Sequence, residues 1–528
     1  MKSNLLYIIL LIFFHEGVYA QVLDSSFGTN GVVLMPYDIN VRDGNSEIIS
    51  IAQQSDGKLI AGGNSFDYVS SFVIVRYYET GIVDSSFYIN GRVSKDFDSC
   101  NWNDLKKILI QPDDKIIAVG TVSDLYATNR YNQLGVARFT ADGYPDSTFN
   151  GNGELKIDIQ TSAGHGAKCN NAALQNDGKI VLCGVVESGS VFVIRLNSDG
   201  SFDSTFNDSG KIIVQNSAFT NLLDVTELTH VLVTPNDKIL TSGYIFRQTS
   251  PKETILLQFN KDGTPDSTFG IDGKMQSGFG NYVGSINGID LQPDGKIIVA
   301  GRGSYWGNST FAPYFARCHA YGAIDSSFYY NGKNNTTIQN LWTELGAMTI
   351  DTSGKIYAAG WTTDFDQVNS VILMRYTNDG QIDNVYTSKG ILTDIGTLRI
   401  RSMLIQPDGK LIAAGFLFVN SSVSNFILLR YLQSPLHINK SVVTQKAIDI
   451  YPNPATDKLY IAVRNLTSNK SLQYTIINTL GKIVQKGRLS QDIENKPIDI
   501  SCLNAGTYMF CLEISGDITV SRFIKIDN

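Results

Sequence analysis

One short motif, Asp-Ser-Ser/Thr-Phe, returns along the chain at a nearly constant beat. That beat constrains the fold more than any other feature. Copies begin at Asp24, Asp84, Asp146, Asp203, Asp266 and Asp325, and a degraded copy, Asp383-Asn384-Val385-Tyr386, keeps the interval. The spacings are 60, 62, 57, 63, 59 and 58 residues. Each aromatic is followed within four residues by Gly, from Gly31 and Gly91 to Gly332 and Gly390. A second motif, clearest as Gln292-Pro293-Asp294-Gly295-Lys296 and Gln406-Pro407-Asp408-Gly409-Lys410, leads into a short apolar run ending in Gly. Its Lys falls at 58, 115, 179, 238, 296, 355 and 410. A third is an apolar strand with Arg near its end: Arg76, Arg138, Arg195, Arg317, Arg375 and Arg430, with Gln258 in the fourth copy.

A repeat of this length holds four short strands, a to d. In the fifth copy, strand a follows Gly273, b runs near 286–292, c covers 296–301 and d lies near 314–318. Asp-Gly between b and c is a hairpin signal, because Gly accepts the positive φ of a tight turn. Four-stranded units repeated seven times predict propeller blades. A solenoid would need atypical capping repeats. The first and last copies are ordinary, which favours a closed ring. The predicted fold class is therefore all-β: a seven-bladed β-propeller of about 60-residue repeats over residues 21–433, followed by a small β-sandwich.

The three motifs together resemble the delta-60 repeat family, a bacterial propeller-like repeat. The resemblance covers residues 21–433 and implies a fold, with little about activity. Asp114 in place of Gly, and Asn236-Asp237 in place of Asp-Gly, weaken single turns.

The two ends of the chain read differently. Lys2, the apolar run Leu5 to Phe14 and Val18-Tyr19-Ala20 make residues 1–20 a secretory signal peptide, with cleavage after Ala20. No other stretch reaches about 18 apolar residues, so no integral membrane segment is expected in the mature form. Residues 434–446 break the period and read as a linker. In 447–528, Tyr451-Pro452-Asn453-Pro454-Ala455-Thr456-Asp457, then Leu503-Asn504-Ala505-Gly506-Thr507-Tyr508, then Arg522-Phe523-Ile524-Lys525 punctuate alternating apolar runs, which predicts a small β-sandwich. This set resembles the C-terminal sorting domain of the type IX secretion system of Bacteroidetes, with Pro452, Asn453, Pro454, Gly506, Tyr508 and Lys525 as motif residues. The resemblance implies the type IX secretion machinery as a partner. It also implies a product that is secreted or attached to the outer cell surface.

The chemistry-bearing residues are sparse. A formal net charge of −7 argues against a nucleic-acid partner, which needs a clustered basic surface. Cys100, Cys169, Cys183, Cys318, Cys502 and Cys511 are spread too thinly for a disulfide scaffold or a zinc site, and read as small buried hydrophobes. No zincin, nucleophile-elbow, Walker or dinucleotide motif occurs. His165, His230, His319 and His437 lie in separate segments without ligand spacing. No metal, cofactor or catalytic set is predicted. The repeated Asp reads as a cap on its own turn. The repeated Arg reads as its ion-pair partner in the same or the next blade.

Function is then sought in the variable loops. The b–c and d–a links are uniform and emerge on one face, so variation gathers on the other, in the a–b and c–d loops. Those loops carry aromatics, of which Trp102, Tyr126, Tyr305, Trp306, Trp342 and Trp361 are the predicted ligand-binding residues. The expectation is a non-catalytic binding or adhesion protein for a glycan or protein ligand. The alternative is a secreted hydrolase or lyase at the propeller mouth, drawing on loop carboxylates such as Asp38, Asp98, Asp124, Asp364 and Asp366.

Overall fold

A computed structural model describes residues 23–35, 45–66, 69–98, 100–124, 126, 131–161, 164–186, 189–215, 225–247, 250–277, 282–305, 312–335, 342–363, 369–383, 388–389, 397–420, 423–432, 448–463, 472–478, 483–489, 497–514 and 517–526. The regular structure in them is β throughout. The chain divides into two compact units, residues 1–435 and 436–528.

The Asp-Gly-Lys segments close tight hairpins, as their composition requires. In one, the Gln292 amide donates to the Lys296 carbonyl and the Gly295 amide to the Gln292 carbonyl, both at 2.8 Å. Gly295 has φ +79°. In the two departures from the motif, Asp114 and Asp237 adopt φ 62° and 60°, a conformation that Asp tolerates better than most side chains.

The first unit holds seven four-stranded antiparallel sheets. Their first strands are Asn45–Gln53, Trp102–Ile110, Ala167–Leu174, Val225–Val233, Tyr282–Leu291, Trp342–Ile350 and Thr397–Ile405, which number blades 1 to 7. Each first strand touches that of the next blade, and blade 7 touches blade 1, so they line the axis of a closed ring. Seven clusters of buried apolar side chains lie between successive blades; Leu240, Phe269 and Met275 of blade 4 meet Ile286, Ile297 and Tyr314 of blade 5 in one of them. A blade covered on both faces needs no polar alternation in its middle strands, and Ile116–Ser123 is buried along its whole length.

The boundaries of a blade differ from those of the sequence repeat. Lys274–Ser277, expected as the first strand of the fifth blade, pairs instead with Ser250–Phe259 as the outer strand of blade 4. Local hydrogen bonding is the reason. The Asp-Ser-Ser/Thr-Phe stretch is a hairpin loop: Asp325 N donates to Arg317 O at 3.0 Å, and Arg317 N to Gly332 O at 3.0 Å. It therefore ties the strand after it to the strand before it. Two consequences follow. The first copy, at Asp24, belongs to the last blade: Val32–Met35 pairs with Val423–Tyr431 and closes the ring. The degraded copy at Asp383 belongs to blade 6 rather than to the last blade, and the described part of the outer strand there is Ser388–Lys389. Counting the face of each link is unaffected, because the strands still alternate in direction.

The repeated Asp and Arg form a lock. Asp203 Oδ1 accepts the Thr205 amide at 3.0 Å and its Oδ2 accepts Arg195 Nε at 2.7 Å. Arg195 lies 4.6 Å over Phe206 and donates to the Lys261 carbonyl of the next blade. The same pattern joins Asp84 to Arg76, Asp146 to Arg138, Asp325 to Arg317 and Asp24 to Arg430. In blade 4, where Gln258 replaces Arg, Lys238 reaches Asp266 at 2.6 Å.

The second unit is a sandwich of a three-stranded sheet (Ile448–Tyr451, Lys458–Val463, Ile498–Asp499) and a four-stranded one (Ile483–Leu489, Leu472–Asn478, Gly506–Ile514, Asp517–Lys525). Its core includes Leu459, Ile461, Phe510, Leu512 and Phe523. The Pro-Asn-Pro segment is fastened to the last strand: Asn453 Oδ1 accepts the Ile524 amide at 2.9 Å, and Ala455 N donates to Ile524 O at 2.8 Å. The peptide bonds preceding Pro452 and Pro454 are cis. Gly506 opens the strand that pairs with the last one. Tyr508 stacks on Phe523 and donates to the Asn504 carbonyl at 2.9 Å, and Lys525 is buried with its ammonium on the Ile526 carbonyl.

Candidate functional site

Each inner strand of the ring runs from the variable face to an Asp-Gly-Lys turn on the uniform face. Near its start it carries a bulge, as between Ile48 and Ser50 in blade 1. A uniform apolar residue stands at the bulge: Ile48, Leu105, Cys169, Leu228, Ile286, Leu345 or Ile400. Opposite it, on the second strand, is always Gly: Gly63, Gly120, Gly184, Gly243, Gly301, Gly360 or Gly415. The bulge presses a carbonyl onto that Gly. A Cβ on Gly63 would meet Glu47 O at 1.9 Å, one on Gly360 would meet Glu344 O at 1.9 Å, and one on Gly415 would meet Arg399 O at 1.9 Å. The Gly that ends the apolar run after each turn is thus required by close approach of backbone.

The residue whose carbonyl makes that contact shows no such uniformity. Paired with its neighbour on the second strand, the position reads Glu47–Asn64, Asp104–Thr121, Lys168–Val185, Glu227–Tyr244, Ser285–Arg302, Glu344–Trp361 and Arg399–Phe416 around the ring. These pairs form a belt near the variable face, with Asn64, Thr121, Trp361 and Phe416 of the second strands buried. Neighbouring blades interlock along it. Asn64 donates to Asp104 at 3.0 Å, Asn170 to Glu227 at 3.0 Å and Arg302 to Glu344 at 2.6 Å. Tyr244 donates to Glu227, and Lys106 pairs with Asp104 at 2.7 Å.

Blades 6 and 7 hold the most distinctive group. The Arg399 guanidinium lies 5.0 Å over Trp361 and that of Arg401 5.6 Å over the same ring, with Phe418 and Phe416 against them. Among the described residues neither guanidinium has a hydrogen-bonding or ion-pairing partner, and the Nε of each is buried. Burial and the charge of Arg401 make Arg399 less basic than usual, although Glu344 and Glu47 act the other way. Burial pushes the Glu47 carboxyl up, against the pull of Arg401. Further along the inner strands, burial makes Lys107 less basic and raises Asp290, while burial and Lys107 hold His230 at about 4.

Trp102 and Trp342, expected in loops, are instead the first residues of the inner strands of blades 2 and 6. They are 38% and 44% exposed. Each stands two residues before Asp104 or Glu344, on the same side of its strand, and so forms a rim over the belt. Trp102 also packs 5.8 Å from Phe66. Trp361 corrects the expectation of an exposed loop aromatic: it sits within the strand Ile356–Thr363, is 6% exposed, and is covered by the two arginines. Tyr126 is 82% exposed between the second and third strands of blade 2. Tyr305 ends the second strand of blade 5, its side chain lying outside the described residues, as does Trp306.

The loop carboxylates do not converge. Asp124 accepts hydrogen bonds from Asn101 and from the Tyr126 amide, which shapes its own loop. Asp98 is exposed, and Asp38, Asp364 and Asp366 lie outside the described residues. Four other carboxylates, Glu47, Asp104, Glu227 and Glu344, stand at one level on the inner strands of blades 1, 2, 4 and 6. Sequence reading passed over them because they sit in a strand that looked purely structural. A signal was present: aligned on the Lys of each turn, the column eleven residues earlier reads Glu, Asp, Lys, Glu, Ser, Glu, Arg. The cysteines are free, with Cys169, Cys183 and Cys318 buried, Cys100 and Cys511 half-buried and Cys502 exposed. Among the described residues no cluster of His, Cys, Asp or Glu is arranged to hold a metal ion. Nor is any helix there long and apolar enough to cross a membrane.

A closed ring of seven four-stranded blades, followed by a sandwich whose Pro-Asn-Pro segment is tied to its last strand, defines a repeat propeller with a sorting tail. The comparisons agree. Residues 54–87, 111–149, 175–206, 234–269, 292–328, 352–384 and 406–434 match the family described as "Domain of unknown function (DUF5122) beta-propeller". Residues 449–526 match the "Secretion system C-terminal sorting domain". The protein is an exported propeller of DUF5122 repeats, handled by the type IX secretion machinery and secreted or attached to the outer cell surface.

No curated protein sequence matches the chain. Among solved structures, a Dyadobacter fermentans protein of unknown function is 10% identical with a TM-score of 0.42, covering 76% of this chain and 99% of its own. A Trypanosoma rangeli sialidase is 10% identical with a TM-score of 0.38, covering 93% and 88%. A Xanthomonas campestris gluconolactonase is 11% identical with a TM-score of 0.31, covering 75% and 97%. Likenesses this distant bear on neither activity nor substrate.

Proposed function

We propose that the protein is a non-catalytic binding or adhesion protein of the cell exterior, and that it engages a glycan or protein ligand at the axial mouth of its variable face. One observation carries the reading. Seven copies of a repeat sample each structural position seven times, and what the fold requires recurs in nearly all of them. The bulge residue and its Gly recur, as do the turn Lys and the lock Asp. The belt position between them does not, so the fold does not demand its side chains. Trp102 and Trp342 add exposed flat faces at the rim, on rigid strands rather than loops.

The test is a glycan and protein array probed with the exported protein, followed by Trp102→Ala and Trp342→Ala. Truncating a true anchor costs about 2 kcal/mol or more of binding. Lys296→Ala, on the uniform face, is expected to leave binding unchanged. The reverse pattern would place the ligand on the wrong face for this proposal. A second reading, a hydrolase or lyase at the same mouth, draws on the inner-strand carboxylates, of which Asp104 acts on the raised Glu47. Turnover of a bound glycan that is abolished by Glu47→Gln would favour it.

A further inference from the structure

We infer that the mouth takes a carboxylate-bearing sugar, with the carboxylate held by Arg399 and Arg401 and the sugar ring seated against Trp342. This rests on the binding reading above and names its ligand class.

The first argument is unmet hydrogen-bonding capacity. A guanidinium presents donors in a planar fork that matches a carboxylate. Here two such forks are fixed against one buried indole, 5.0 and 5.6 Å from Trp361, and among the described residues neither donates to a protein acceptor. Only the Nε of each is buried without an acceptor, so the terminal NH2 groups are the donors that an acceptor arriving from outside can reach. The nearby acids do not fill that role: Glu344 is taken by Arg302 at 2.6 Å, and Glu47 makes no hydrogen bond to either arginine.

The second argument is position. Trp342 stands two residues before Glu344 on the same strand face, a rise of about 7 Å. Glu344 is the cross-strand neighbour of Trp361. An indole that is 44% exposed therefore stands one two-residue step along the strand from the level of the paired guanidiniums. The third argument is the mixed field. Glu47 and the remaining lone pairs of Glu344, whose charges act on Arg399, offer acceptors for hydroxyl groups. A sugar acid offers one anion on a frame of hydroxyls and suits both. A polyacidic peptide brings adjacent like charges against the same carboxylates, which costs affinity.

The experiment is calorimetric titration of the exported protein with D-glucuronate and D-galacturonate, each against its neutral parent, D-glucose or D-galactose. Hexaglutamate serves as the peptide probe. Within each pair the ligands differ at C6, carboxylate against hydroxymethyl. The acid is expected to bind at least about tenfold tighter than its parent at low salt, the worth of a charge-assisted hydrogen bond. Arg399→Gln and Arg401→Gln should each remove most of that preference. Arg399→Lys, which keeps the charge and loses the fork, should remove part of it. Circular dichroism confirms folding of each variant, and the lysine variant decides if a glutamine variant fails to fold.

Equal affinity within both sugar pairs overturns the inference, as does an acid preference that survives both glutamine changes. Tighter binding of hexaglutamate, or no heat from any sugar at about 10 mM, overturns it as well. A neutral glycan weakened by Trp342→Ala but not by Arg399→Gln would sink the acidic ligand alone and leave the mouth as a binding surface. Array ligands indifferent to both Trp102→Ala and Trp342→Ala would sink the mouth reading itself.

Discussion

Arg430→Ala is expected to open the ring at its seam. Arg430 is 3% exposed. Its guanidinium donates to Asp24 at 2.9 Å, to the Glu79 carbonyl of blade 1 at 2.5 Å and to Ser26 at 3.2 Å, and it covers Phe27 at 4.5 Å. Asp24 comes from the other end of the propeller sequence, just ahead of the strand Val32–Met35 that completes blade 7. Removing one partner of a buried ion pair costs about 3–5 kcal/mol, because the other charge stays behind. Lys410, 3.4 Å from Asp24, and the Ser26 amide, 3.0 Å away, offset part of this, so the lower end, about 3 kcal/mol, is expected.

Gln258→Ala in blade 4 is the matched control. Lys238 already holds Asp266 there, so the expected loss is about 1 kcal/mol. The assay is guanidinium chloride unfolding followed by tryptophan fluorescence, with limited proteolysis read at the N-terminus. Arg430→Ala should lower the midpoint and speed cleavage before Val32. Arg195→Ala, in a blade built from continuous chain, should lower the midpoint without that cleavage. If Arg430→Ala costs less than about 1 kcal/mol, or no more than Gln258→Ala, the lock does not hold the seam.

Acid should dissolve the locks together. Burial raises Asp325, but hydrogen bonds from Ser327 and the charges of Arg317 and Lys296 outweigh it and hold the carboxyl at about 2, against an ordinary 3.8. A depressed folded value stabilises fully above the unfolded one and is lost as pH falls through the folded one, so thermal midpoints should stay flat down to about pH 5 and drop between about 4 and 2; a flat profile to pH 2 refutes this. Gly360→Ala forces a Cβ to within 1.9 Å of the Glu344 carbonyl and is expected to cost about 3 kcal/mol, whereas Gly295→Ala, strained only by its φ of +79° with open space around it, costs about 1 kcal/mol. Chemical unfolding of both variants decides whether the bulge contact matters. We propose that export removes residues 1–20 and cuts within 434–446, so the intact mass of the surface or secreted form should correspond to a chain from Gln21 that lacks 447–528; a mature product retaining that segment contradicts the proposal.

Much of the architecture was legible because it depends on backbone demands that repeat. A turn needing positive φ selects Gly or Asp, a lock needs Asp and Arg at fixed places, and the spacing of the copies counts the blades. The same demands hid the blade boundary. The Asp-Ser-Ser/Thr-Phe hairpin looks like the start of a unit in the sequence, yet its hydrogen bonds join the strand before it to the strand after it, and only ring closure shows the first copy serving the seventh blade. Which side chains reach the mouth was hidden for a different reason. Trp361 and Trp342 are alike as sequence, but packing of blade 7 against blade 6 lays two arginines over the first, while the second is 44% exposed. Exposure belongs to the surface a neighbouring blade leaves uncovered, and for Trp361 that is set by contacts with Arg399 and Arg401 of the next blade.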